Sequence, residues 1–592
     1  MVNAEQLIKL LDFNLLNKHY NNAVKLLDEE QYSQIILSHY SDVIQDVILK
    51  HLTSENYANE PTLYGICESI IKLLAEKCHQ QGILFEFLEI IETVKDDDVF
   101  TSILKGLQVI ILNQSERQSR ALEYCLNSIE DYILDLPIPS NLLKNIEEEE
   151  GKILENDEQV RRVLLMYMIL EKFYEPIVKQ IVESKPLDKI FRSRKFNRHN
   201  VLFCFILRLL GKPLSFLDLS HDETTNKVKT YSRQVAEDLV NTLCQLHVDV
   251  FQLLSYVETR CRWPTKDKID DDLNDIFLHH EKTPLLQLGM LFYLIIGEGI
   301  QSHQFPKIYN PTYIFQMGIY LVNVMITSDD EPIVFKGLKL AQKMIDNITS
   351  KLNSDELDIE IHRTFCNSLV KLLMYSPSKR NRQRGLQLLR CYILKFDIEG
   401  RYLLIKNILK ISDHKGLMGY LTTMYKDIIF EEINTGKLSE YTSGQCLKQI
   451  VLEHTCKLNG GVQCDIADSS DQIHSSLNFL RAIFIRDKEN VTGVKHLIAD
   501  LQNGFLSELR SALDLSRAHY HAEIENVKAG KSSDMNEIIQ GTEILNDVSE
   551  PLNELTNERK LDMLHSALSI FNLIDFQLAA ANEVINQVAF TQ

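Results

Sequence analysis

The pattern most suggestive of chemistry is Asp271-Asp272-Leu273-Asn274-Asp275. On a helix, carboxylates at i, i+1 and i+4 gather at one edge, and such a cluster can hold magnesium against a diphosphate. That reading requires an aromatic-lined pocket, and the single tryptophan, Trp263, lies outside any apolar run. A pattern this short also arises by chance at this aspartate content. A solvated acidic helix start, favoured by the helix dipole, is the simpler reading. Gly297-Glu298-Gly299 begins a dinucleotide-like pattern, but the third glycine is missing and a helical segment precedes it. His519 and His521, near Glu523, stand two residues apart, so a helix turns them to different sides. Cys446, Cys456 and Cys464 lack the CxxC and histidine spacings of a zinc site. No GxxxxGK[ST], GxSxG or HExxH occurs. The expectation is a non-enzymatic protein with no catalytic, cofactor or metal site.

Charge narrows the partners. Acidic residues outnumber basic ones by 83 to 63, a net charge of −20. That field repels phosphate backbones and anionic lipid, so neither nucleic acid nor membrane is expected, and a basic protein surface suits the chain better. Two basic clusters run against the trend: Arg192, Arg194, Lys195, Arg198 and His199, and Lys379, Arg380, Arg382 and Arg384. Neither has interleaved aromatics for base stacking, so both read as solvated surface. The acidic runs Asp96–Asp98 and Glu147–Glu150 read as exposed helix faces or ends. Eleven unpatterned cysteines suggest reduced thiols, hence a cytoplasmic location with nuclear presence allowed.

The elements that carry these residues are helices. At 592 residues the chain exceeds what one core can hold, so it is multi-domain or a repeat array. Gly (22) and Pro (13) are scarce, which disfavours a many-turned β fold. Ile361, Phe365, Leu369, Leu372 and Leu373 form one stripe at helical spacing, and Leu386, Leu389, Ile393 and Phe396 repeat it. Breaks such as Asn310-Pro311-Thr312 and Tyr375–Lys379 carry proline beside capping residues. The apolar stretches Val201–Leu210 and Leu285–Ile296 are too short to span a bilayer and read as buried helices. From about Pro311 onward, breaks recur at roughly 40-residue intervals, the spacing of paired-helix repeats. The predicted class is all-α: a HEAT/armadillo-like, right-handed helical-repeat solenoid with degenerate repeats. An N-terminal repeat region is expected over 1–300, middle repeats over 301–458 and a C-terminal region over 473–592. Leu458–Gln472 and Ala529–Asn557 read as loops or mobile insertions, and a strongly apolar helix follows from about Arg559 to Val588.

Several strings resemble, in order, segments of the glomulin family. They are Leu136–Pro139, NPTYIFQMG (Asn310–Gly318), KGLKLAQ (Lys336–Gln342), FDIEGRYLL with SDHKG (Phe396–Gly416), SSLNFLRAIFIRDKEN (Ser475–Asn490), LSRAHYHAEI (Leu515–Ile524) and LHSALSIFNLID (Leu564–Asp575). The match is dense after about residue 310, and only the architecture is shared in the first 130 residues. The resemblance implies HEAT-like repeats whose C-terminal part binds the RING-box subunit of cullin–RING ubiquitin ligases, with the cullin. Access of the ubiquitin-charged E2 is then blocked by occlusion. It also implies an association with an FKBP-type immunophilin. Where the resemblance is dense and polar it points to Arg481, Asp487, Glu489, Asn490, Arg517, His519, Tyr520 and His565 as partner-binding residues. Leu477, Leu480, Phe571 and Ile574 read as core. Two alternatives stand beside it: a generic armadillo-like scaffold or transport adaptor, and a helical magnesium-dependent diphosphate enzyme built on Asp271, Asp272 and Asp275.

Overall fold

The computed structural model describes residues 4–113, 119–138, 157–184, 196–221, 229–247, 249–262, 275–301, 308–529 and 557–590. Asp271, Asp272, Arg192, Arg194, Lys195, Glu147–Glu150 and the segment 530–556 lie outside them. Among the described residues every element is helical, and the sole β contact is an isolated bridge between Leu352 and Phe396. The protein is all-α. It divides into two compact units. One comprises Met1–Ile348 with Pro377–Arg384, the other Thr349–Ser376 with Gly385–Gln592.

The first unit begins with α1 (Ala4–Leu16) and α2 (Tyr20–Asp28). There follow α3 (Pro61–Lys77), α4 (Gln80–Thr93), α5 (Asp97–Asn113), α6 (Ser119–Leu134), α7 (Glu158–Ser184), α8 (Arg198–Arg208) and α9 (Tyr231–Leu246). It continues through α10 (Leu285–Phe292), α11 (Pro311–Ile326) and α12 (Glu331–Asn347). From α3 to α9 the main contacts skip one helix at a time, whereas α10, α11 and α12 pack in sequence. α3 packs on α5, α5 on α7 and α7 on α9, while α4 packs on α6 and α6 on α8. The contacts of α3 to α9 thus fall into two series, because an amphipathic helix must cover its apolar stripe with neighbouring helices.

Polar side chains tie neighbouring helices together. Asp96 accepts the N–H groups of Asp98 and Val99 at the start of α5, and the N–H and hydroxyl of Ser54 from an earlier element. Asp97 receives Arg162 of α7 in a two-pronged pair at 2.7 and 2.9 Å, together with the Tyr132 hydroxyl of α6. The acidic run is thus a helix start, as the sequence suggests, but half-buried and engaged. The expectation of a solvated basic surface fails for Arg198 and His199. Both are buried, and Arg198 donates to the Ile111 carbonyl in the last turn of α5, where a cation complements the helix dipole.

Gly297-Glu298-Gly299 also proves structural. A π-helical turn, Tyr293–Gly297, precedes it, and Gly299 takes φ +73°. The Glu298 carboxylate, almost wholly buried, accepts from the Tyr293 hydroxyl (2.5 Å), Lys339 Nζ (2.6 Å) and Arg233 Nη1 (3.3 Å). It is saturated by protein groups and offers no phosphate cradle. Beside it Lys336 is buried and donates to the Ser215 carbonyl at 2.8 Å.

In the second unit the helices are α13 (Glu360–Tyr375), α14 (Lys379–Lys395), α15 (Ile398–Ile411), α16 (Lys415–Thr435), α17 (Ser470–Arg486), α18 (Ser507–Lys528) and α19 (Asn557–Phe590). The first residues of α14 belong to the first unit. There Arg380 and Arg384 lie over the Phe335 ring at 4.2 and 4.1 Å, so the second basic cluster does meet an aromatic, supplied from α12. Caps set the boundaries. Asp397 caps α15 through the Gly400 N–H, His414 caps α16 through that of Leu417, and Gly436 closes α16 at φ +67°. Helix α16 packs closely on α17 at Gly419, where an added Cβ would stand 2.8 Å from the Asp471 carbonyl oxygen. The stretch Leu458–Gln472, expected to be a loop or mobile insertion, is loop and turn up to Ser469, with one 3-10 turn, and it is packed. Cys464, Ile466 and Ala467 are buried, and Gln472 donates to the carbonyls of His454 and Lys457. All eleven cysteines are free thiols in the described structure.

Burial lowers the Lys336 pKa from its ordinary 10.5 to about 8, against the pull of Asp218 and Glu298. Between pH 8 and 10.5 the unfolded chain binds this proton more tightly, so the residue's contribution to stability rises with pH across that window. Substituting Lys336→Met should flatten the rise and stabilise the protein near pH 7 by up to about 3 kcal/mol. Urea unfolding of both proteins at pH 7 and pH 9.5 checks this. An equal pH response in the two would contradict it.

Candidate functional site

Helix α19 is 34 residues long, and its inner stripe is regular. Leu564, Ala567, Phe571, Ile574, Leu578, Ala581 and Ile585 are all buried, at alternating steps of three and four. The stripe packs on α17 and α18. Phe571 meets the Tyr520 ring of α18 edge-on at 5.0 Å between centroids. Along the seam Asp575 accepts from Arg510 (2.5 Å) and Arg517 (2.9 Å), with Arg517 reaching Asn572 as well. The Arg517 hydrogen bond and both positive charges hold the Asp575 carboxyl below its ordinary range, with burial opposing. His474 of α17 meets Gln577 at 2.5 Å, and Gln502 donates to Asn586.

Apolar residues also occupy the other side of α19. Leu573 is 50 % and Phe576 71 % exposed, one turn apart on the outer face. On α18 Leu515 is exposed, and at and beyond the end of α17 so are Ile485 and Val491. By length and apolar content alone α19 matches a membrane-spanning helix, yet only 28 % of its most apolar eighteen-residue stretch is buried. A charged seam binds one side to α18, and the other side leaves large apolar groups uncovered. An uncovered apolar face on a helix is the kind of surface that protein docking uses.

Residues 42–567 match the family described as YAP/Alf4/glomulin, an uncharacterised protein family. The chain belongs to the YAP/Alf4/glomulin family. It is similar to human glomulin, with 25 % identity over 580 residues, covering 96 % of this chain and 91 % of the relative. Mouse glomulin gives 24 % over 577 residues, with the same coverage.

The residues singled out from the glomulin resemblance fall into three settings. Arg481, Glu489, His519 and His565 are exposed, on α17, the turn after it, α18 and α19. Arg517 is half-buried in the Asp575 ion pair. Asp487, Asn490 and Tyr520 have internal duties. The Asp487 carboxylate is buried and accepts the N–H groups of Val491 (2.8 Å) and Thr492 (2.9 Å) and the Thr492 hydroxyl (2.5 Å). Asn490 takes φ +56° and accepts from the Lys495 N–H at 2.9 Å. Together they build the turn from 487 to 495. Tyr520 is buried beside Asp465 and Asp468, and burial, reinforced by those carboxylates, pushes its hydroxyl pKa up. Leu477, Leu480, Phe571 and Ile574 are core, as read from the sequence.

The chemical motifs have local explanations where the structure describes them. Asp275 spends its carboxylate on the Phe277 N–H at the start of a single 3-10 turn. His519 and His521 are both exposed, and Glu523 accepts from Asn526. Among the described residues no three His, Cys, Asp or Glu side chains converge to hold a metal. The residues that sequence reasoning missed are Leu573 and Phe576. Their signal was present, because Leu564–Phe576 carries more apolar positions than one inner stripe can use.

Replacing Asp487 by Asn removes the charge from three buried hydrogen bonds, and the unfolding free energy should fall by about 1–3 kcal/mol. The exposed neighbour Glu489→Gln should stay within about 0.5 kcal/mol of the native chain. Chemical denaturation of both variants separates a turn-building role from a surface one; an unchanged Asp487→Asn protein would refute it.

Proposed function

We propose that this protein is a non-enzymatic inhibitor that docks its C-terminal helices on the RING-box subunit of a cullin–RING ubiquitin ligase. Occupying that surface keeps the ubiquitin-charged E2 away, so transfer is blocked by occlusion. The carrying observation is the uncovered outer face of α19, with Leu573 and Phe576, in a chain of the glomulin family. Each such side chain contributes on the order of 1–2 kcal/mol when the remainder of its surface leaves water. Two anchors of this kind, ringed by polar groups, fit the pattern of an interface hot spot. The net charge of −20 supports attraction to a basic partner surface and a faster encounter at low salt. The exposed Arg481, Glu489, His519 and His565 belong to the proposed rim. Free thiols throughout fit action in the reducing cytoplasm or nucleus.

The test uses the full chain and a purified RING-box–cullin complex. Native protein is expected to bind and to slow ubiquitin chain formation. The double variant Leu573→Glu with Phe576→Glu, with unchanged circular dichroism, should bind at least about tenfold more weakly and lose the inhibition. Failure of the native chain to bind would remove the proposed partner, and full binding by the variant would move the site off α19.

A further inference from the structure

The second unit carries a basic face that the reading above does not use. Helix α15 presents Lys406, Lys410 and Ile411, and it packs on the π-helical turn Ile450–Thr455. That turn brings His454 alongside, with Lys457 two residues past its end. Lys410 and Lys457 are exposed, Lys406 and His454 half-buried, and Ile411 is 52 % exposed.

The charges converge. Burial lowers the His454 pKa, Glu453 opposes, and the charges of Lys406, Lys457 and Lys410 add to the lowering. Lys406 Nζ donates to Gln449 Oε1 at 2.8 Å, and among the described residues none of the three lysines is ion-paired with a carboxylate. Acidic residues outnumber basic ones by 83 to 63, so a gathering of cations without counter-charges is the exception here. Their mutual repulsion is relieved when an anion arrives. The backbone beneath is fixed. Buried Gln472 donates to the carbonyls of His454 and Lys457 at 3.3 and 3.2 Å, and the Ser476 hydroxyl to that of Thr455 at 2.7 Å. The Tyr402 hydroxyl shares Gln449 Oε1 with Lys406, at 2.9 Å. Such a face is preorganised, so binding removes little further freedom from it.

We propose that this face binds an acidic segment of a partner protein, a run of Asp and Glu residues with an apolar residue set against Ile411. Three features select that occupant. Its charge complements the cluster. Lysine offers a point charge on a flexible stem, which suits several carboxylates in no fixed geometry, whereas bidentate recognition of phosphate favours arginine. The ring beneath Lys406, that of Tyr402 at 5.5 Å, is buried, so nucleic-acid bases have no platform there. A long polyanion or an anionic bilayer also meets the field of the −20 net charge over far more surface than a short segment does.

Fluorescence anisotropy of the full chain tests this with a labelled peptide of about twelve residues, mostly Asp and Glu with two leucines. Saturable binding is expected at low salt, falling away by about 0.5 M. The triple variant Lys406→Gln, Lys410→Gln, Lys457→Gln, with unchanged circular dichroism, should bind about tenfold more weakly, since each exposed ion pair changes affinity by about 1.5- to 5-fold. A control, Lys25→Gln, Lys371→Gln, Lys437→Gln, removes the same charge from exposed positions elsewhere and should stay within about twofold. Ile411→Ser should weaken the leucine-containing peptide and leave unchanged one with serine in place of leucine. No saturable binding, or an equal loss in both triple variants, would overturn the proposal. So would lysine-dependent binding to phosphatidylserine vesicles or to oligothymidylate in preference to the peptide. The probe contains no part of a RING-box protein, so this inference and the docking role of α19 stand or fall separately.

Discussion

The structure depends on the inability of a helix with one apolar stripe to bury that stripe alone. From α3 to α9 the helices of the first unit solve this by lying against the helix two places along, so α3, α5, α7 and α9 form one series and α4, α6 and α8 another, while α11 covers its stripe against its sequence neighbours α10 and α12. The second unit meets the same demand more compactly, with α17 covered by α16 on one side and α19 on the other. Hydrophobic burial of this kind has little directional preference. Direction comes from the polar ties: Asp97 with Arg162, Arg208 with Glu130, and Asp575 with Arg510 and Arg517. They fix how far one helix slides along the next.

Demands of packing also account for the motifs that looked chemical. A buried carboxylate is tolerated only with partners in place, and Glu298 and Asp487 each have three. In both cases the acid organises an irregular stretch, a π-turn exit or the turn after α17, where the backbone cannot satisfy itself. Lys336 is the less comfortable member of this group. Its ammonium has the Ser215 carbonyl as hydrogen-bond partner and two carboxylates in range, and burial still erodes its charge.

Helices and their ends were readable in the residues, because both are local. Asn310-Pro311 places a cap and a first-turn proline in sequence, and the structure starts α11 there. Asp397 likewise caps α15. What escaped is what depends on distant chain. Arg198 looked solvated because its acceptor, the Ile111 carbonyl, lies 87 residues away. Arg380 and Arg384 seemed to lack an aromatic because Phe335 arrives from another helix. Leu573 and Phe576 escaped for a different reason. An apolar residue on an outer face has the same letter as one on an inner face, and only the neighbours of Ile574 and Phe571 tell them apart. The likeness to glomulin pointed to polar residues around these positions, several of which have folding duties.

The distribution of thiols has a consequence for watching the protein open. Cys67, Cys78, Cys125 and Cys204 are buried in the first unit, and Cys366, Cys456 and Cys464 in the second. Burial pushes the Cys67 and Cys456 thiols up to about 12 and that of Cys78 to about 11, so reactive thiolate is scarce while the fold is closed. An alkylating reagent therefore reaches each only through a transient opening. Its labelling rate then measures the free energy of that opening, site by site. The native sequence carries a set of reporters for the local stability of each unit, with no label to be introduced.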